Sequence, residues 1–230
     1  MGQKIHPRGF RLGPVYTWSS RWYADDYRYK ALLLEDVTMR RELYNKLKSA
    51  GLAQVDIDRS INKVKVTLHV SRPGVVIGRG GSGMEIIKKF IESFITKKPL
   101  GGMGIKKKAA GTGIAEENRI KVEVTVEPVK EPNLNAYLVA STIADQLTKR
   151  LPHKRVCNQA VDRVMSAGAK GIRIKLSGRI RGAEIARREK FQSGSVPLST
   201  IREEIDFAAV PSLTKSGYIG VKVWICRKTV

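Results

Sequence analysis

Between Lys63 and Val70 apolar and polar residues alternate without a break, with Val64, Val66, Leu68 and Val70 on one parity and Lys63, Lys65, Thr67 and His69 on the other. Ile120 to Val126 repeats the pattern, with Lys121, Glu123 and Thr125 between the apolar positions. A period of two puts successive side chains on opposite faces of a sheet, so each run demands one buried face and one polar face. His69 falls on the polar face, which argues against a ligand role. What lies between the two runs is of another kind. Pro73 to Ile77 starts like a short helix with proline near its first position. Gly78-Arg79-Gly80-Gly81-Ser82-Gly83 then leads into a second helix carrying Met84, Ile87, Phe90, Ile91 and Phe94. Upstream, a helix from about 28 to 50 is expected to turn Leu33, Val37, Leu43 and Leu47 to one face, with Gly51 ending it in a left-handed conformation. Ala53 to Asp58 reads as a short strand.

Pro128 and Pro132 bracket a linker, and a domain boundary is placed there. A helix runs from Asn133, a plausible N-cap, to Arg150. A further one from about 153 to 168 buries Val156, Ala160, Val161, Val164 and Met165, with Gly168 at its end. Strand patterns follow: Ile172, Ile174 and Leu176 alternating with Arg173 and Lys175, a turn at Gly178 to Gly182, then Ala183 to Phe191, Glu204 to Ala208 and Ile219 to Ile225. Two helices followed by about four antiparallel strands make an α+β domain. The expected organisation is a basic N-terminal arm over 1–27, a first domain over 28–130 and an α+β domain over 131–230, its two helices lying on a four-stranded antiparallel sheet.

Charge narrows the partner. Forty-three Lys and Arg stand against twenty-one Asp and Glu, a net +22 over 230 residues. Such an excess repels itself unless a polyanion or an anionic surface neutralises it. Nothing approaches the roughly 20 consecutive apolar residues of a membrane helix. The first seven residues, Met1 to Pro7, lack both the apolar core of a signal peptide and the Ser or Thr at position six of a myristoylation signal. Nucleic acid is the favoured partner and no membrane is expected. Cys157 and Cys226 have no CxxC spacing and read as reduced, buried residues of a cytoplasmic protein. His6, His69 and His153 are equally scattered, so neither a metal nor another cofactor is expected.

Two stretches show no sustained period. The arm is basic and aromatic (Phe10, Tyr16, Trp18, Trp22, Tyr23). It reads as an irregular segment packed on the body, as one whose Lys4, Arg8 and Arg11 lie along phosphates, or as both together, and the absence of a core pattern favours an extended segment ordered by its partner. The long basic loop 97–118 holds Lys97, Lys98, Lys106, Lys107 and Lys108 among glycines. At over about 20 residues without internal structure it signals function or disorder.

Gly78-Arg79-Gly80-Gly81 fits Gly-x-x-Gly with a cation inside. Glycines let the backbone turn tightly and approach a ligand, while N–H groups at the following helix start meet phosphate oxygens. The tetrapeptide alone is weak, but the order helix, strand, strand, short helix, Gly-x-x-Gly, helix, strand resembles a type II KH domain. Such a domain clamps about four nucleotides of a single strand. Gly78, Gly80 and Gly83 also satisfy Gly-x-Gly-x-x-Gly, but no full strand precedes them. Position 103, where a ribose-binding acid belongs, is Met. No Walker loop exists, and no carboxylate cluster or activated lysine supports a nuclease or lyase.

The chain also resembles the family of bacterial-type small-subunit ribosomal protein three. Met1 to Pro7 with Arg11-Leu12-Gly13, Arg72 to Gly78, Gly168 to Ile172, Ser177-Gly178-Arg179, Gly182 to Arg187, Val196-Pro197-Leu198 and Gly217 to Ile225 carry the likeness, which covers essentially the whole chain. The resemblance implies a structural protein of the small-subunit head, bound to small-subunit rRNA, with no covalent chemistry. It implies neighbours in ribosomal proteins ten and fourteen, with proteins two, four and five nearby. It also implies a place beside the channel through which mRNA enters, where Lys154 and Arg155 help to unwind structured messages. Asn158 departs from a third basic position of that set, and the loop 97–118 looks long for the family. Arg179, Arg181 and Arg187 complete the RNA-binding residues expected on this ground. An organellar ribosome and a free KH protein acting on transcripts stay open as alternatives.

Overall fold

The computed structural model describes residues 4–60, 62–97 and 121–228. They form two compact units, Trp18–Val129 and, separately, Lys130–Val230 together with Met1–Thr17. Within residues 4–17 the arm forms a single helical turn, α1 (Pro7–Phe10), whose N-cap His6 accepts from the Gly9 amide, while from Trp18 onward the expected arm belongs to the other unit.

In the unit Trp18–Val129, a short strand β1 (Ser20–Arg21) precedes the long helix α2 (Asp26–Lys46). A 3-10 turn over Lys48–Ala50 then ends at Gly51 with φ 68°. Strands β2 (Leu52–Arg59) and β3 (Lys63–Val70) pair antiparallel, β1 lies parallel beside β2, and β4 (Lys121–Pro128) lies parallel beside β3. Parallel neighbours need a crossover. Here it includes α3 (Pro73–Ile77) and α4 (Ser82–Lys97), joined by the glycine loop. In the first alternating run Val64, Val66, Leu68 and Val70 are buried and pack with Val76, Ile87 and Ile91 of the helices, but Thr67 on the other parity is buried too. In β4 Val122 is buried, while Val124, Thr125 and Val126 are all half-buried, so the alternation there is weaker than its pattern predicts.

Helix α2 departs from expectation. Leu33 and Val37 are 39% and 52% exposed, and Glu35 and Asp36 are buried in their place beside Met39 and Leu43. The cause is a polar cluster. Arg59 donates to Asp36 at 2.6 Å and to Glu35 at 3.2 Å, while the Ser20 hydroxyl and the Trp22 indole donate to the other Asp36 oxygen. A buried carboxylate is tolerated when its lone pairs are filled this way.

In the other unit, α5 (Ala136–Thr148) is capped by Asn135, whose side chain accepts from the Tyr137 and Leu138 amides at 3.0 and 3.2 Å. The expected cap at Asn133 instead lies in a 3-10 turn begun by Pro132. The helix stops at Thr148, short of Arg150, which sits at φ 62°. After α6 (His153–Ser166) come β5 (Gly171–Gly178), β6 (Arg187–Gly194), β7 (Ile205–Thr214) and β8 (Gly217–Cys226), antiparallel in the order β6-β5-β8-β7. Residues 183–186 are not strand, because Arg181 and Gly182 bend the chain through positive φ. Strand β7 runs past the expected Ala208 through Pro211 to a two-residue turn at Lys215-Ser216. It is an edge strand, where proline's missing N–H is tolerated. Ile172, Ile174, Leu176, Val221, Val223 and Ile225 form one buried face of this sheet and pack in one core with Ile143, Leu147, Val156 and Val164 of the two helices.

Candidate nucleic-acid interface

Gly78, Gly80 and Gly81 all take positive φ (71°, 60° and 82°), and the Ser82 hydroxyl closes the loop onto the Arg79 carbonyl at 3.0 Å. The turn is held by contact between its two helices. A Cβ on Gly83 would lie 2.3 Å from the Val76 carbonyl oxygen, so α4 can start there only without a side chain. Nothing lies within 4 Å of a Cβ built on Gly80 or Gly81. The outer side of the loop is therefore open to a ligand. Arg79 is exposed, with no side-chain partner among the described residues, and Val75 and Ile77 beside it are 54% and 42% exposed. A cleft of about 350 Å³ runs between Met84, Glu85 and Lys88 of α4 and Val122 to Thr125 of β4. On β4, Glu123 is bonded to Lys63 at 2.7 Å, and that hydrogen bond holds its carboxyl below the usual range. A cationic glycine loop beside a cleft with an apolar floor suits the backbone and bases of a single strand.

The remaining expected residues fall into three groups. Lys154 and Arg155 occupy the exposed first turn of α6, with Asn158 exposed one turn on. Pro152 caps that helix without a side-chain bond, the first turn holds no acid, and neither cation has an ion-pair partner among the described residues. Their neighbour His153 turns inward, its Nε2 2.8 Å from Glu189. Arg179, Arg181 and Arg187 are exposed, and the Arg179 Nε donates to the Ala183 carbonyl at 2.8 Å. Lys106, Lys107 and Lys108 lie outside the described residues.

The arm corrects part of the expectation. Arg11 is fully buried and cannot lie along phosphates. Its guanidinium donates to the carbonyls of Pro7, Pro197, Leu198, Thr200 and Glu203 at 2.7–3.4 Å, tying the arm to the segment before β7. Arg8 lies 5.2 Å from the centroid of the Tyr16 ring, a cation–π contact. Lys4 stays exposed.

One set of cations is not legible in the sequence. Lys190, Lys175 and Lys222 are direct cross-strand partners on β6, β5 and β8, three abreast. They share the face opposite Ile174 and Val223, together with Arg173 and Arg188. Like charges directly opposite destabilise a sheet, and partial burial with the fields of Lys4, Arg188 and Lys222 pushes the Lys175 ammonium pKa down. The alternation in each strand is readable, but the register that aligns the lysines is not. In the next row of the same face Trp224 lies opposite Phe207, with ring centroids 5.1 Å apart.

A Gly-x-x-Gly loop on a type II KH frame, together with a second α+β unit carrying uncompensated cations, defines an RNA-binding protein of the KH class. The KH domain model matches residues 38–134, and that of ribosomal protein S3, C-terminal domain, matches 143–225. Small ribosomal subunit protein uS3 of Carboxydothermus hydrogenoformans is 40% identical over all of this chain and 93% of its own length. That of Hydrogenovibrio crunogenus is 44% identical over 99% and 90%, and that of Persephonella marina 43% over 99% and 90%. The chain belongs to the small ribosomal subunit protein uS3 family and is a structural protein of that subunit.

Proposed function

We propose that the chain binds small-subunit rRNA and borders the path by which mRNA enters, holding single-stranded message without nucleotide hydrolysis. The observation that carries the second part is the first turn of α6. Two exposed cations stand on a helix N-terminus whose dipole disfavours them by about 0.3–1 kcal/mol each. No acid in that turn offsets them. A phosphate backbone passing there meets both the cations and the uncapped amides. The Gly-x-x-Gly loop and the lysine row on the second sheet supply further anion-facing surfaces. The family resemblance supports neighbours in ribosomal proteins ten and fourteen, with proteins two, four and five nearby.

The test replaces Lys154 and Arg155 with Ala together. Small subunits should assemble with normal yield, while translation through a stable mRNA hairpin slows severalfold and unstructured messages are read at the normal rate. Equal slowing on both messages, or none on either, removes these residues from the path of mRNA.

A further inference from the structure

In the unit that contains α5, α6 and the second sheet, a pocket of about 410 Å³ opens among the end of α5, the turn after β5 and the β7–β8 turn. Its lining includes the apolar Leu147, Ile180 and Ile219, all buried. Four cations, Arg150, Arg179, Arg181 and Lys215, also line it, and no Asp or Glu does. The side chains of Arg150, Arg181 and Lys215 have no partner among the described residues, and Arg179 makes one bond, to the Ala183 carbonyl. Among the described residues only Arg150 and Arg181 hold positive φ without being glycine (62° and 59°), and both line this one pocket. Non-glycine residues rarely adopt that conformation, and such outliers cluster at ligand sites. Where glycine would meet the turn without strain, arginine stands.

We propose that this pocket is a subsite for one nucleotide of a single RNA strand, its base against the apolar wall and its phosphate among the four cations. A volume of this size matches small-molecule sites and exceeds what a lone phosphate fills. An apolar wall gains nothing from an ion, whereas a base has a face to lay against it. A base within a duplex stays stacked, so only an unpaired one can enter. Two hydroxyl residues, Thr214 and Ser216, also line the pocket; the Thr214 hydroxyl donates to the Gly217 carbonyl at 2.8 Å and keeps its lone pairs to accept from a base or ribose. This subsite rests on the proposed function only in that the unit meets single-stranded RNA; it does not require Lys154 or Arg155.

The experiment titrates the full-length chain with a uridine hexanucleotide, uridine monophosphate, inorganic phosphate and hexaglutamate, reading the backbone amide NMR shifts of Arg150, Arg181 and Ser216. The hexanucleotide should shift all three saturably. In Arg150→Gly/Arg181→Gly its affinity at these amides should fall roughly tenfold, because two charge-assisted hydrogen bonds to phosphate can no longer form. Thermal stability should hold or rise, since glycine accepts positive φ freely. Lys215→Gln, in an exposed turn, should weaken binding by a smaller factor. Unmoved amides, or wild-type affinity in the glycine variant, overturn the proposal. So does inorganic phosphate or hexaglutamate binding as tightly as the strand, whereas uridine monophosphate, which carries both a base and a phosphate, should bind and shift the same amides. The same amides should still respond in Lys154→Ala/Arg155→Ala, so a failed hairpin assay and a failed pocket are separate results.

Discussion

The arm and the first turn of α6 carry similar basic sequence to opposite ends. Arg8 and Arg11 are used by the protein itself, one half-buried beside a tyrosine ring and one fully buried and bonded to five carbonyls. Lys154 and Arg155 are held out with no protein partner among the described residues. Net charge therefore overstates the surface offered to RNA. A cation counts toward binding only when the fold leaves it unsatisfied, and that distinction is made by packing.

The sharpest way to break this contrast is to remove one arginine from each region. Arg11→Ala leaves buried carbonyls without a donor and should destabilise its unit on the order of 3–5 kcal/mol by urea unfolding. Arg155→Ala should move the same transition by less than about 0.5 kcal/mol, as exposed substitutions do. Similar effects of the two would mean that burial does not separate them.

How far the sequence reaches follows the same line. Period-two strands, the proline-started helix and the glycine loop are legible because local backbone rules set them. The inner face of α2 is not. Glu35 and Asp36 look like solvated residues until Arg59, more than twenty positions away, meets them. The cap moves from Asn133 to Asn135 because Pro132 starts a 3-10 turn, and two asparagines so close give no local signal to choose between. Strand β7 reads short in sequence because Pro211 looks like a breaker until its edge position is known. Of the candidate site, Gly78 to Gly81 stand out as a sequence pattern, whereas Lys154 and Arg155 enter only through the family resemblance. Arg11 reads there as a surface cation, which its burial contradicts, and the Lys190–Lys175–Lys222 row needs a register that only the assembled sheet supplies.

That row sharpens the comparison from the binding side. Changing Lys175, Lys190 and Lys222 to Gln should lower the slope of log affinity for rRNA against log salt by roughly 2–3, at about 0.7–0.9 for each phosphate no longer neutralised. Folding should not suffer, because three like charges abreast are relieved. Arg79→Asp with Gly80→Asp should weaken binding of a short single strand at a stability cost of about 1 kcal/mol, because Gly80 meets no neighbour but holds φ 60°, where a side chain is strained. An unchanged slope in the lysine variant would show that the open face of the second sheet does not meet phosphate. Unchanged strand binding in the loop variant would make the Gly-x-x-Gly a connection only.

The smallest effect lies within α6 itself and decides whether its first turn is built for stability. The helix has two ends, with Lys154 and Arg155 at the N-terminus and Arg163 in the last turn. Aligned peptide dipoles leave partial positive charge at the first end and negative at the second, so the two positions act with opposite sign. Lys154→Ala/Arg155→Ala should therefore raise stability by a few tenths of a kcal/mol, and Arg163→Ala should lower it by a similar amount. Ala is also the better helix former, which adds to the first change and offsets part of the second. Both differences should shrink in 1 M salt, where exposed charges are screened within about 3 Å. If the N-terminal pair instead proves stabilising, those side chains are part of the fold, like Arg11. The contrast with the arm then collapses, and with it the physical reason for placing RNA at that turn.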